Sequence, residues 1–275
     1  MRIVNLIENT PGNSGCLCEH GLSFYVETKK HKLLVDTGAT DAFITNADKL
    51  GVDLKQVDIV ILSHGHYDHA GGILGFTGIN PDARILMQRL SGEEYYHQND
   101  SMEKYIGIDS RIKKLPQAEW IDGNKRIDDE IFLFGGVTGR KLWPSGNLEL
   151  KVKKEDGFYQ DDFLHEQYLV LEEDKRRILI SGCAHNGILN ILDRFREIYG
   201  TNPDIVISGF HMRKKSGYTD EDLKVIRQIG MELAKLNTRF YTGHCTGEVP
   251  YQILKEYMGE QLCYVHSGDE VRAED

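Results

Sequence analysis

Residues 63–72 concentrate side chains that bind metal ions. His64, His66, Asp68 and His69 fall within six residues. In an extended loop, side chains two residues apart point the same way, so His64 and His66 are expected to face one point. If the backbone then turns, Asp68 and His69 face a second point. Imidazole and carboxylate donors together suit zinc, iron or manganese rather than calcium.

The alternative interpretation is a polar loop whose histidines only complete ordinary hydrogen bonds. It is disfavoured because the four potential ligands are crowded directly after a strand-like run. Three later strand-like runs, at residues 177–181, 204–208 and 239–242, are also followed by histidine, namely His185, His211 and His244. The four loops together predict one site rather than four unrelated ones.

The elements that must position these loops can be read from the hydrophobic pattern. Residues 57–62 form a mostly apolar, β-branched run that is typical of a buried strand. Residues 24–28 and 32–36 predict a hairpin, and the helical spacing predicts helices at about 40–50, 188–198 and 219–236. Thr219 is the predicted cap of the last helix. Because strands alternate with helices and polar residues follow the strands, we expect the histidines to share one sheet edge.

Composition excludes several function classes. The chain has 275 residues, 33 of them basic and 43 acidic, and a formal net charge of −10. Proteins that coat nucleic acid are normally basic, so no nucleic-acid partner is expected. The apolar runs are shorter than the roughly 20 residues that span a bilayer, and no signal-peptide pattern opens the chain. We therefore expect a cytoplasmic protein without a membrane partner.

Length and cysteine content point to one ordinary globular unit. Five cysteines do not make a disulfide framework in a chain this long. We expect a single domain over residues 1–275, with an insertion at about 90–165 that is charged, aromatic and broken by Pro116 and Pro144. Cys183 and Cys245 flank potential ligands but are interpreted as buried packing residues.

The histidine-rich motif resembles the H-x-H-x-D-H signature of the metallo-β-lactamase superfamily. That resemblance implies an α/β fold, the four-layer αββα sandwich, with metals at one edge. It also matches Asp36 to a structural acid, His185 to the third-motif histidine and His244 to the last histidine. The wider superfamily uses a bridging carboxylate in the slot that His211 occupies here, so His211 is either a ligand or a substrate contact.

Four short motifs narrow the resemblance further. They are Glu19-His20-Gly21-Leu22-Ser23, Gly182-Cys183-Ala184-His185-Asn186-Gly187, Ser208-Gly209-Phe210-His211 and His244-Cys245-Thr246-Gly247. In this order they resemble the 7,8-dihydropterin-6-methyl-4-(β-D-ribofuranosyl)aminobenzene 5'-phosphate synthase-like subfamily. That name implies a reaction joining a pterin methyl group to an anionic ribofuranosyl-aminobenzene phosphate, although one fold can host many chemistries.

The resemblance and the residues together predict the composition of the site. We expect His64, His66 and His185 to bind one divalent transition metal. Zinc is the favoured metal, and iron and manganese are the alternatives. We expect Asp68, His69 and His244 around another, with His211 as a seventh possible ligand. Asp68 and His211 are the candidate catalytic residues. Substrate contacts are expected from His20 and from Arg213, Lys214 and Lys215, a basic spot suited to a phosphate or carboxylate.

Three functions remain open at this level. The first is a dihydropterin-linked transferase acting on an anionic, phosphorylated or pterin-like small molecule. The second is a hydrolase in which metal-activated water attacks a phosphoester, ester or lactone. The third is a non-catalytic sensor that uses the same cage to bind metal or ligand.

Overall fold

The computed structural model describes residues 1–99 and 101–272. These residues form eighteen β-strands and six α-helices. The strands are β1 (Arg2–Ile7), β2 (Ser23–Glu27), β3 (Lys32–Val35), β4 (Ile59–Ile61), β5 (Arg84–Gln88), β6 (Glu94–Asn99), β7 (Met102–Tyr105), β8 (Ala118–Ile121), β9 (Lys125–Arg126), β10 (Ile131–Phe134), β11 (Leu150–Lys154), β12 (Gly157–Gln160), β13 (Tyr168–Glu173), β14 (Arg176–Ile180), β15 (Ile205–Ile207), β16 (Arg239–Thr242), β17 (Leu262–Tyr264) and β18 (Glu270–Arg272). The helices are α1 (Ala42–Lys49), α2 (Tyr67–Ala70), α3 (Ile73–Ile79), α4 (Ile188–Tyr199), α5 (Asp220–Leu233) and α6 (Glu248–Met258). Within this part of the chain, no helix is long and apolar enough to cross a bilayer.

Two seven-stranded sheets form the centre of the molecule. Their strand orders are β18-β1-β2-β3-β4-β5-β8 and β17-β16-β15-β14-β13-β10-β9. Strands β3, β4, β5 and β8 run parallel in the first sheet, and β14 to β17 run parallel in the second. Parallel neighbours need crossover connections, and helices α1 to α6 lie in those connections. The loops after the parallel strands therefore gather at one edge of each sheet.

The two sheets pack face to face with helices outside. In β13, Leu169 and Leu171 point into the core between the sheets, whereas Tyr168 and Val170 point toward the outer helices. This two-residue alternation lets one strand serve two apolar layers. A third apolar cluster joins the outer face of the first sheet to α1 and α3. The four-layer αββα arrangement expected from the sequence is confirmed.

Residues 90–165 occupy three places in the fold. Strand β8 extends the first main sheet, and β9 and β10 extend the second. Strands β6, β7, β11 and β12 form a separate four-stranded sheet in the order β12-β11-β6-β7. Ile131 and Leu133 are fully buried in the central core, which explains why β10 joins the main sandwich. The single domain over residues 1–275 stays a prediction.

Candidate metal centre

The site is built from loops that follow parallel strands of both main sheets. Asp36 follows β3 and the motif of His64 to His69 follows β4. From the second sheet, His185 follows β14, His211 follows β15 and His244 follows β16. The structure thus brings all four predicted histidine loops to one edge of the sandwich. The motif is not loop throughout, because α2 begins at Tyr67 and supplies the turn between its two halves.

Four non-glycine residues in these loops have left-handed backbone conformations. The angle φ is 59° at Asp36, 53° at Ala184, 48° at His211 and 49° at His244. Such conformations cost of order 1–3 kcal/mol each and persist only where the surroundings hold them. Each one turns the chain sharply just after a strand. The strain is therefore concentrated where the side chains of the site are aimed.

Asp36 anchors the histidine motif. Its Oδ1 accepts a hydrogen bond from the Ser63 N–H at 2.7 Å, and its Oδ2 accepts from the Ser63 hydroxyl at 2.7 Å. The same Oδ2 lies 2.6 Å from Nδ1 of His69. Asp36 is 1% exposed. One buried carboxylate therefore fixes both ends of the motif, as the sequence interpretation of Asp36 as a structural acid requires.

Three of the predicted ligands form position one, which consists of His64, His66 and His185. The ring centroids are 4.6 Å apart between His64 and His66, and 4.9 Å from each of these to His185. The rings are buried, and their Nε2 atoms have no hydrogen-bond partner among the described residues. A buried polar atom without a partner costs about 1–3 kcal/mol. Three such atoms on adjacent rings indicate a metal-binding point.

The protonation of position one suits metal binding. The Ser63 hydroxyl donates to Asp36, so it accepts from Nδ1–H of His64 at 2.9 Å. Asn147 Oδ1 lies 2.9 Å from Nδ1 of His185 and can only accept. Both Nε2 atoms therefore keep a free lone pair. Burial lowers the pKa of His64 and His185 well below 6.5 and that of His66 to about 3, with neighbouring imidazoles adding to the effect.

Position two consists of Asp68, His69 and His244. Asp68 Oδ2 lies 3.7 Å from Nε2 of His69 and 3.5 Å from Nε2 of His244. With the Asn9 amide turned so that its oxygen accepts from Arg213 Nη1 at 2.8 Å, its nitrogen donates to His244 Nδ1 at 2.9 Å. Metal binding at His244 Nε2 takes the opposite amide orientation, in which Asn9 Oδ1 accepts from Nδ1–H, so this amide sets the histidine tautomer.

Charge distinguishes position two from position one. Burial alone would lower the pKa of His69, but the carboxylates of Asp36 and Asp68 raise it to about 9. Burial alone would raise the pKa of Asp68, but His69 and His244 lower it below its ordinary value. His20 reaches this position from the loop between β1 and β2, with Nε2 3.4 Å from Asp68 Oδ2 and its ring stacked on His244. Its side chain is 52% exposed, so it stands at the mouth of the site.

The donor spacing fits a metal ion. Zinc bonds of about 2.0 Å to nitrogen or oxygen place two tetrahedral ligand atoms roughly 3.3 Å apart. The distances of 3.5 and 3.7 Å from Asp68 to the two imidazoles are close to that separation. Neutral imidazoles and an ionised carboxylate are also the donor types that zinc, iron and manganese accept. Both positions therefore suit a divalent transition metal.

Sequence reasoning missed three supporting side chains. His165 accepts from the Gly65 N–H at Nδ1 (2.9 Å) and pairs with Asp161 through Nε2 (3.0 Å), so it positions the motif with both nitrogens occupied. Glu166 accepts from the His185 N–H at 2.7 Å, and Asn147 orients the His185 ring. All three lie far along the chain from the motif or in the irregular stretch, where spacing carries no signal.

The two cysteines were interpreted as packing residues, and both are indeed buried. Their sulfur atoms nevertheless face the site. Cys183 Sγ is 3.2 Å from Nε2 of His69, and Cys245 Sγ accepts from the His211 N–H at 3.3 Å. Packing accounts for their burial and leaves these contacts with potential ligands unexplained.

His211 lies apart from the other predicted ligands of position two. Its ring centroid is 4.0 Å from that of His185, and its ligand atom groups with the sulfur atoms of Cys183 and Cys245. A cleft of about 100 Å³ opens beside it. The cleft is lined by Trp143, Pro144, Met212, Tyr218, Asp222 and Ile226, among others. His211 therefore faces a space large enough for part of a small molecule.

The predicted basic spot is divided. Lys214 Nζ lies 2.6 Å from Asp222 Oδ1, in the capping box of α5 whose cap is Thr219, as predicted. Arg213 is exposed. The pKa of His20 is lowered to about 4, mainly by burial, and the charge of Arg213 adds to this lowering. Arg213 therefore lies close to the mouth of the site. Lys215 is exposed. The structure thus pairs Lys214 with Asp222 and leaves Arg213 as the cation shown near the entrance.

Comparison with known proteins identifies the class. The family model described as the metallo-β-lactamase superfamily matches residues 17–147. The solved structure of Tm1679, a metal-dependent hydrolase of the β-lactamase superfamily, is 30% identical and covers 100% of both chains with a TM-score of 0.84. The chain therefore belongs to the metallo-β-lactamase superfamily, whose members normally bind divalent metals.

A curated relative matches almost the whole chain as well. The 7,8-dihydropterin-6-methyl-4-(β-D-ribofuranosyl)-aminobenzene-5'-phosphate synthase of Methanocaldococcus jannaschii is 28% identical, over 98% of this chain and 95% of its own. The resemblance predicted from the four short motifs is confirmed. The metallo-β-lactamase fold protein YhfI from Bacillus subtilis is 14% identical, with a TM-score of 0.57 over 98% of each chain, and shows the fold alone. The first two relatives are named as enzymes, which supports an enzyme here.

Proposed function

We propose that this protein is an enzyme with two divalent transition-metal ions, and that zinc is the favoured metal. His64, His66 and His185 would hold one ion at position one, and Asp68, His69 and His244 would hold the other at position two. The observation that carries the proposal is the convergence of four buried imidazole Nε2 atoms that have no hydrogen-bond partner in the described part of the chain. A metal bound there lowers the pKa of water to about 7 and polarises a substrate oxygen.

The surrounding residues have separable tasks. Asp68 is ionised and lies between the imidazoles. We therefore assign it two roles, to accept a proton and to orient the attacking group. His211 borders the cleft rather than position two, so we assign it a substrate contact. His20 and Arg213 stand at the entrance, where they meet an incoming anion.

We assign the substrate class from the cleft and from the name of the curated synthase. The proposed reaction is a transfer that joins a dihydropterin to an anionic, phosphorylated arylamine, as the name of the relative describes. Trp143 lines the cleft and offers a flat face to an aromatic ring. A new bond would join the pterin methyl carbon to the amine nitrogen. The leaving group would take the electron pair of the broken bond, and the amine would lose one proton to Asp68.

The test is a direct assay with chromatography and mass detection. Zinc-loaded protein is mixed with a 7,8-dihydropterin that carries a leaving group on its 6-methyl carbon and with 4-(β-D-ribofuranosyl)aminobenzene 5'-phosphate. We expect the joined product, and we expect His66→Ala to abolish it. Binding of the phosphorylated arylamine should weaken in the Arg213→Ala, Lys215→Ala double variant. Lys55→Ala is the control, because Lys55 is exposed and precedes β4, at the opposite end of that strand from the histidine motif.

Hydrolysis is the second candidate, and it is favoured by the full-length match to a metal-dependent hydrolase. Release of phosphate, acid or alcohol from simple esters, without any joined product, would support it over transfer. Tight retention of a pterin or phosphate with no turnover of either kind would indicate a sensor.

A further inference from the structure

Cys183 lies between the two metal positions. Its Sγ and the ligand atoms of His64 and His185 all lie within 4.8 Å of one another. The same is true of its Sγ with the ligand atoms of His69 and His244. The sulfur atom is therefore common to both positions. The residue is 3% exposed, so the sulfur faces the site and not solvent.

The backbone holds this sulfur in place. A Cβ atom at Gly182 would meet Ser63 Oγ at 2.2 Å, which shows how closely the strand end packs against the histidine motif. The Gly182 carbonyl accepts from the Gly209 N–H at 2.8 Å. Ala184, the next residue along, has φ of 53°. Cys183 is thus clamped on both sides, and its side chain has little freedom to leave the site.

Resting on the metal centre proposed above, we propose that the Cys183 thiolate is a ligand shared by both metal ions. Among the six donors of positions one and two, only Asp68 carries a negative charge, against two divalent cations. A thiolate placed between the ions adds the second negative charge where the repulsion between them is greatest. Sulfur has lone pairs for two metals, and zinc accepts thiolate with imidazole. On binding, the thiol proton passes to solvent.

The neighbouring thiol has a different environment. Cys245 Sγ accepts from the His211 N–H at 3.3 Å and donates to the Cys183 carbonyl at 3.5 Å. It groups with Cys183 and His211 and lies outside the two sets of metal donors. Cys263, in β17, is partly buried beside the central core. These two cysteines provide matched controls.

The experiment replaces the native metal with cobalt(II) and records the absorption spectrum. Wild-type protein should show a near-ultraviolet charge-transfer band from thiolate to cobalt beside the visible bands of cobalt itself. Cys183→Ser should lose the charge-transfer band and retain visible bands. Its affinity for one of the two ions should fall by at least 10–100-fold, the loss expected even for an outer partner of a ligand. Cys245→Ser and Cys263→Ser should keep both features.

Further variants separate this inference from the proposed centre. Cys183→Asp should restore binding of two ions without the charge-transfer band, since a carboxylate also bridges metals. If wild-type protein binds two ions and the band persists in Cys183→Ser, or disappears in Cys245→Ser alone, the shared thiolate is wrong while the centre stands. If wild-type protein binds no cobalt, or if His66→Ala binds as much as wild type, the centre itself is wrong.

Discussion

Positions one and two use similar imidazoles in opposite electrostatic settings. Position one holds three histidines whose pKa values are lowered by burial, so they stay neutral. Position two holds a carboxylate and an imidazole whose pKa is raised to about 9 by Asp36 and Asp68. Without metal, His69 of position two is paired with the anchoring Asp36 and only the His244 Nε2 is unpaired there, whereas position one keeps three unpaired nitrogen atoms among the described residues.

This difference indicates which of the two positions is less stable without its metal. At position one, metal binding removes the cost of three buried unpaired nitrogens. At position two, it must displace the proton of His69 and compete with an existing ion pair. We therefore expect position one to bind its metal more tightly, and position two to contribute more to the stability of the metal-free protein.

The largest effect should come from Asp36→Ala. Removing this carboxylate leaves the Ser63 N–H, the Ser63 hydroxyl and the His69 imidazole without their acceptor. Breaking a buried pair of this kind costs about 3–5 kcal/mol. Urea unfolding of the chelated protein measures it, and Asp82→Ala, at an exposed acid, is the control. Equal costs in the two variants would contradict the role given to position two.

Metal removal should be the next largest effect. Metal that binds only the folded state adds about 2.7 kcal/mol of stability at 100 times its Kd. Chelation should then lower the melting temperature by roughly 5–10 °C. Elemental analysis confirms the removal. His66→Ala should melt near the chelated wild type and shift less on further chelation. An unchanged melt after confirmed removal would mean that the ions sit at the surface.

His244→Ala and His211→Ala should differ in metal affinity. His244 lies 3.5 Å from Asp68 within position two, whereas His211 borders the cleft. We expect His244→Ala to lower the affinity for one metal ion by at least 10–100-fold. We expect His211→Ala to retain most of its metal but to lose turnover or ligand affinity. Metal titration of both variants, with binding of the phosphorylated arylamine, checks this. Equal loss of the same ion would make His211 a full ligand.

The pH dependence of the metal-free protein should be the smallest effect. His66 has a pKa of about 3 when folded and an ordinary value of 6.5, so the unfolded chain binds the extra proton. The contribution of His66 to the free energy of unfolding is complete above pH 6.5 and is lost as pH falls from 6.5 toward 3. For one such group the free energy of unfolding falls by about 1.4 kcal/mol per pH unit in this range.

The His66 contribution can be isolated by substitution. Urea unfolding at pH values between roughly 4 and 6 gives the slope of the free energy of unfolding against pH. His66→Gln should make this slope smaller, whereas His97→Gln should leave it unchanged. His69 works in the opposite direction. Its pKa of about 9 makes a contribution that is present below pH 6.5 and is lost as pH rises through 9. An identical slope in wild type and His66→Gln would contradict the neutral setting of position one.

Local patterns accounted for much of the fold. The strands around residues 57–62, 204–208 and 239–242 and the cap at Thr219 were predicted from patterns that act over a few residues. The same kind of pattern predicted one insertion at about residues 90–165 but gave no sheet membership: β8 lies in the first main sheet, and β9 and β10 lie in the second. Strand pairing joins residues far apart in the chain, and local spacing carries no record of it.

The sequence by itself determined which donors the proposed centre can use, because the spacing of His64, His66, Asp68 and His69 places four of them on one short segment. Only the tertiary structure decided what surrounds them. It placed the Cys183 sulfur between the two positions, tied Lys214 to Asp222 and set His165 behind the motif. The contact of His165 with Gly65 spans 100 residues. Such contacts depend on how two sheets pack, and packing is a property of the whole chain.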